Sequence, residues 1–181
     1  MTALDFKLSA NLTWGEATDS SSKPELVAMN RIEAERFKKQ MQHSATTLFQ
    51  PVRDKFGALT CTSGFRGSKL NPAIGGSKRS QHMKGGAFDF VPRHAGLQEV
   101  WEWIVYESGI PFGQCLLEGY GANKKPRWIH ISTQVGRDPT YCDQVGYGPA
   151  HALAFVSHEN IAAERAKRGV WPGLGDGESV A

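Results

Sequence analysis

From Asn30 onward, Ala34, Phe37, Met41, Ala45, Leu48, Val52 and Phe56 fall three or four residues apart. That spacing lines one face of an α-helix with apolar groups, so it predicts an amphipathic helix packed on a core. Gly57 would end it, and Pro51 would kink or split it. Leu59-Thr-Cys-Thr-Ser63 is short and β-rich, with glycines nearby, and reads as a strand. Ala87-Phe-Asp-Phe-Val91 reads as a second. Leu97, Val100, Trp101, Ile104 and Val105 return to helical spacing, predicting a second helix to about Ser108, before Gly109. Phe112 to Glu118 and Arg127 to Thr133 read as two further strands joined through the turn-rich residues 119–126, an expected antiparallel hairpin. A last helix is expected from about Pro149 to Arg168, with proline in its first turn.

The remaining segments have weaker patterns. Residues 1–24 mix short apolar patches with the polar run Thr18-Asp-Ser-Ser-Ser-Lys-Pro24, and are expected to form an extended arm. Residues 64–86 contain six glycines and read as a long irregular segment, a length that is usually functional or disordered. Gly169 to Ala181 reads as a loose tail. The expected fold class is α+β, a small and mostly antiparallel sheet with helices packed on it. The division expected is a main domain over 1–135 and a carboxy-terminal extension over 136–181, with one helix and the tail.

Composition narrows the function classes. The 181 residues are 40% hydrophobic and 22% charged, ordinary for one folded domain. No run approaches the roughly 18 to 20 apolar residues that span a bilayer. The start, Met1-Thr-Ala-Leu-Asp-Phe-Lys7, has neither a basic n-region nor an apolar h-region, so the expectation is a protein without a signal peptide. Cys61, Cys115 and Cys142 are odd in number and lack C-x-x-C spacing, which argues against a disulfide framework or a thiolate zinc site and for reduced, mostly buried thiols. A net charge of +3 is too small to imply nucleic-acid binding, yet it suits a polyanionic substrate.

Three segments carry the chemistry: Ser63-Gly-Phe-Arg66, Ser80-Gln-His-Met-Lys-Gly-Gly-Ala-Phe-Asp89 and Trp128-Ile-His-Ile-Ser132. Alternation along a strand puts Phe88 and Phe90 in the core and turns Asp89 the other way. It likewise buries Ile129 and Ile131, leaving Trp128, His130 and Ser132 on the opposite face, so His130 is presented with an aromatic beside it. His82 precedes the strand that carries Asp89, so two imidazoles and one carboxylate can converge. Two nitrogens and an oxygen, with water in a fourth tetrahedral position, are a common donor set of catalytic zinc. Zinc there acidifies its water and polarises a carbonyl, as amide hydrolysis requires. Glu118, which the hairpin folds back toward the His130 strand, is the candidate general base. Arg66 would clamp a substrate carboxylate or pair with a nearby acid, and Ser80 would orient substrate or cap the loop.

Ser-Gly-Phe-Arg66, Leu70-Asn71, Gly75-Gly76-Ser77, Ser80-x-His-x-x-Gly-x-Ala-x-Asp89, Gln114-x-x-x-Glu118 and Trp-Ile-His-Ile-Ser132, in this order, resemble the zinc D-alanyl-D-alanine carboxypeptidase and L-alanyl-D-glutamate endopeptidase family. These murein peptidases are frequent among phage lysis and virion proteins. The likeness runs from about Asn11 to Thr133. It implies His82, Asp89 and His130 as zinc ligands, a mixed sheet with helices on one side, and cleavage of an amide in a peptidoglycan stem peptide. It implies a phage-encoded enzyme acting from the host cytoplasm at lysis or from the virion, with other virion proteins as further partners. This chain departs from the pattern in a longer connection over 119–127. It also has Arg127, Trp128 and Ile129 where many relatives carry an acid or histidine just before the last ligand.

Other features read as ordinary. His158-Glu159-Asn-Ile-Ala162 lacks the second histidine of an H-E-x-x-H helix, and His43, His94 and His151 have no partners at ligand spacing. The clusters Lys38-Lys39 and Arg165 to Arg168 read as solvated faces, whereas Lys78, Arg79, Lys124 and Lys125 flank the expected cleft and would favour an anionic wall polymer. Trp101, on the apolar stripe of its helix, is expected in the core. The alternative function is a phage virion structural or wall-binding protein that keeps the peptidase fold with little or no turnover. A metal-dependent nuclease is a third reading.

Overall fold

The computed structural model describes residues 3–120 and 125–133 in full and the strands at 144–147 and 154–157 by their backbone. Its amino-terminal segment is not the expected arm. Lys7–Ser9 (β1) and Leu12–Thr13 (β2) pair antiparallel and lead into the helix Trp14–Thr18 (α1). Leu8, Leu12, Trp14 and Ala17 are all buried, so the short apolar patches are core anchors. Thr13 and Glu16 form a capping box, in which Glu16 N donates to Thr13 Oγ1 (3.2 Å) and Thr13 N to Glu16 Oε2 (2.8 Å). The Lys38 ammonium, expected merely to be solvated, sits 4.2 Å from the Phe6 ring centroid and 4.9 Å from that of Trp14.

The long apolar stripe becomes a nearly unbroken helical rod: Val27–Ala34 (α2), a 3₁₀ turn, Lys38–Ser44 (α3), a π-helical turn over Ala45–Phe49, and Gln50–Phe56 (α4). Pro51 has no N–H to give, and the wider turn just before it absorbs that loss without a break. Gly57, at φ +77°, ends the rod as expected. Ala34, Met41, Ala45, Leu48 and Val52 are fully buried.

Leu59–Ser63 (β3), Ala87–Pro92 (β4), Phe112–Glu118 (β5) and Trp128–Thr133 (β6) follow, with the short helix Leu70–Ala73 (α5) after β3 and Leu97–Tyr106 (α6) after β4. Gln144–Tyr147 (β7) and Ala154–Ser157 (β8) complete a six-stranded sheet in the order β3-β4-β6-β5-β7-β8. Every neighbouring pair is antiparallel except β5 with β7. The α+β class and the β5–β6 hairpin therefore stand. Residues 154–157 form a strand where a helix was expected, since pairing with β7 completes their backbone hydrogen bonds. The rest of that expected helix, the tail, Cys142, His151, Lys124 and His158 lie outside the described residues.

Helices cover one face of the sheet. Phe49 meets Phe88 and Phe90 edge-on, at 5.9 Å between centroids in each case, and Trp101 Nε1 donates to the Cys115 carbonyl (3.0 Å). Burying an aromatic or branched side chain here stabilises by roughly 2–3 kcal/mol. That apolar layer fixes which side chains of β4, β5 and β6 look the other way. Among the described residues, no helix is long and apolar enough to cross a membrane.

Candidate metal centre

Strand register assembles the polar face. Asp89 of β4 lies directly across from His130 of β6, which lies across from Leu116 of β5. Glu118 pairs with Trp128, and Gln114 with Ser132, on the same strands. Directly paired residues share a face, so Asp89, His130, Gln114, Leu116, Glu118 and Trp128 point together, away from the helices. Residues 64–86 cross this face, which is why His130, expected to be presented, is only 5% exposed.

That glycine-rich segment is ordered by buried asparagines. Asn30, 2% exposed, donates through Nδ2 to the carbonyls of Thr18 (2.9 Å) and Phe65 (3.0 Å), and its Oδ1 accepts from Gly67 N (2.7 Å). Asn71 Nδ2 donates to the Ser77 carbonyl (2.8 Å). Gly64 packs so closely on the backbone of Ala17 that a Cβ there would overlap it, and its own carbonyl reaches the site. The 3₁₀ turn Gln81–Lys84, closed by left-handed Gly85 (φ +68°), then carries His82 into the interior.

Three donor atoms converge: His82 Nε2 lies 3.1 Å from His130 Nδ1 and 3.2 Å from Asp89 Oδ1, and His130 Nδ1 lies 2.7 Å from Asp89 Oδ1. Bonds of about 2.0–2.1 Å to a tetrahedral ion would set its donors about 3.3 Å apart. The two edges at His82 match that closely, and the His130–Asp89 edge, at 2.7 Å, would open by about 0.6 Å around an ion. His82 Nδ1–H donates to the Gly64 carbonyl (2.6 Å), which leaves the Nε2 lone pair aimed at the other two donors. Buried His130 Nε2 makes no hydrogen bond among the described residues, so it can carry the ring proton while Nδ1 serves as donor. Two imidazoles and a carboxylate thus fit a divalent ion of zinc type.

The electrostatics agree with that donor set. Burial pushes His82 down to about 4, against the pull of Asp89, so its ring is neutral and free to bind. Burial alone would raise the Asp89 carboxyl, but the neighbouring His82 and His130 hold it well below the usual carboxylate range. Arg66 Nη2 lies 3.6 Å from Asp89 Oδ2, and burial lowers the guanidinium's pKa while Asp89 and then Glu118 oppose the shift.

His82 also makes the metal-free protein acid-sensitive. Its folded pKa of about 4 is below the ordinary 6.5, so unfolding takes up a proton between those values, and stability falls as pH drops through that window. Between pH 7 and 5 this amounts to about 2 kcal/mol, or a melting temperature lower by about 4–8 °C. Thermal melts in chelator at the two pH values check it, and equal midpoints would contradict the assignment.

A cleft of about 450 Å³ opens over the cluster, lined by His82, Asp89 and His130 together with Arg66, Ser80 and Glu118. All six residues singled out in the sequence are therefore in one place. Ser80 occupies the N-cap position of the 3₁₀ turn, but its side chain makes no capping hydrogen bond and borders the cleft instead. Sequence reasoning missed the partner of Glu118: Trp128 Nε1 donates to Glu118 Oε2 (3.2 Å) across the hairpin. A Cβ at Gly119 would overlap the Trp128 ring, so the glycine at φ +74° lets the indole lie over the turn. The shared face of Trp128 and His130, two residues apart, was the available signal. Gln81 Nε2 also donates to Gln114 Oε1 (2.5 Å), tying the loop to β5. His43 and His94 are exposed, as expected.

The family model described as peptidase M15 matches residues 21–132, more than half the chain and all six of these residues. No curated protein matches the chain.

Proposed function

The chain belongs to the peptidase M15 family, a family of metallopeptidases, and we propose that it is a zinc-dependent peptidase cutting an amide bond in peptidoglycan stem peptides. The observation that carries this reading is the convergence of His82 Nε2, Asp89 Oδ1 and His130 Nδ1 at the base of an open cleft that Glu118 also lines. The activity would be of the D,D-carboxypeptidase or L-alanyl-D-glutamate endopeptidase type. The setting we propose is phage-encoded lysis or a virion-mounted enzyme, reaching peptidoglycan from the host cytoplasm or from the particle.

His82, Asp89 and His130 would hold the ion, and zinc so bound supplies a Lewis acid and an acidified water. Glu118 takes the proton released as the amide carbonyl is attacked and returns it to the departing amine. Trp128 occupies Oε2, which leaves Oε1 to move that proton. Arg66 and Ser80, on the cleft wall, orient the peptide.

The test is to digest purified sacculi with the zinc-loaded protein and identify the products by mass spectrometry. Stem peptides with a new terminus, together with a released fragment or free D-alanine, are expected. Unchanged stem peptides and no released alanine, with one zinc bound, would favour the wall-binding alternative.

Trp128 acts through Glu118 and is a positioning residue. Trp128→Phe keeps an aromatic ring but removes the N–H, and a hydrogen bond to a charged group is worth enough for a drop of about tenfold in kcat. KM and zinc content should stay as they are. A fall in zinc content instead would show that the indole supports the fold of the site as a whole.

A further inference from the structure

A second cleft, of about 640 Å³, adjoins the first, and Arg79, Ser80 and Gln81 border both. Phe37 and Phe65, stacked with centroids 5.4 Å apart, contribute its apolar lining. Arg36, Lys78, Arg79 and Lys84 stand exposed around it. None of these four cations has an ion-pair partner among the described residues. The one acid in the lining, Glu33, is turned to the loop, accepting from Ser68 N (2.7 Å) and Ser68 Oγ (2.9 Å).

We propose that this cleft is a second binding subsite, which takes an anionic segment of the same polymer whose amide lies in the metal cleft. Four cations against the single carboxylate of Glu33 leave the cleft positively charged, which attracts carboxylate or phosphate groups. The Arg36 guanidinium lies over the Phe37 ring, 5.6 Å from its centroid, and Phe65 is buried beneath, so charge carries the recognition. The shared border at residues 79–81 lets one substrate chain occupy both clefts at once. Binding energy gathered there, remote from the reacting bond, holds the polymer in place. The choice of polymer rests on the wall-peptidase reading, whereas the charge and shape of the cleft do not.

Arg36 and Lys84 line only this second cleft, so the double variant Arg36→Gln/Lys84→Gln leaves the metal cleft untouched. Co-sedimentation with purified sacculi should weaken by about tenfold and become less salt-sensitive, as expected when two exposed charge contacts are lost. The kcat on a short, uncharged stem-peptide substrate should not change. Repeating the sedimentation on sacculi stripped of wall phosphate polymers distinguishes the source of the anion. A loss of wild-type binding assigns phosphate, and retention assigns the carboxylates of the peptidoglycan itself. Wild-type affinity and salt dependence in the variant would overturn the subsite. Weakened binding by the variant, with no turnover by wild type, would keep the subsite and remove the hydrolase reading.

Discussion

Asp89→Asn is expected to empty the metal site and lower activity by about 10³-fold or more, with the fold retained. Asp89 carries the one negative charge in the cluster, facing His82, His130 and Arg66. Asparagine keeps the shape, so Phe88 and Phe90 on either side can stay packed in the core. What changes is the charge: an anionic ligand becomes a neutral amide, beside a guanidinium that repels a cation. Losing several kcal/mol of Lewis-acid stabilisation corresponds to about three decades in rate. Zinc analysis of the purified variant, together with its circular dichroism, checks both halves. A variant that keeps stoichiometric zinc and near-normal turnover would remove Asp89 from the ligand set, and the proposed mechanism with it.

The cluster could be read from the sequence because it depends on strand alternation, a rule with a period of two residues. Phe88 and Phe90 bracket Asp89, and Ile129 and Ile131 bracket His130, so burying the apolar pairs leaves both polar residues no other face. The register that sets Asp89 opposite His130 was not readable, since nothing local specifies which residues of two strands meet. The same gap hid β8: Ala154 to Ser157 carries too few residues to display a period, and its partner β7 decides its conformation. The amino-terminal hairpin was missed for a related reason, although Thr13-x-x-Glu16 was a legible capping signal. Loop order was harder still. Asn30 sits in a helix and looks like any polar residue there, yet its side chain pins Phe65 and Gly67, 35 and 37 residues away. Such a contact exists only once the fold has formed.

Glu118→Gln is expected to lower kcat by about 10²–10⁴-fold while zinc content and KM stay near those of the wild type. The substitution preserves the side-chain volume, and its amide oxygen can still accept the Trp128 indole proton that now goes to Oε2. Packing at the hairpin end is thereby held constant, and the variant differs chiefly in lacking a carboxylate that can take up a proton. A residue that only completed the rim of the cleft would give a different result, a small change in KM with kcat intact. Glu118→Asp separates the two further, because it restores the carboxylate but draws it back by one methylene and away from Trp128. Partial recovery in the aspartate variant is expected if proton transfer is the role of the residue. Full activity in the glutamine variant would move the base elsewhere on the cleft wall and leave Glu118 as a hydrogen-bond acceptor for the indole.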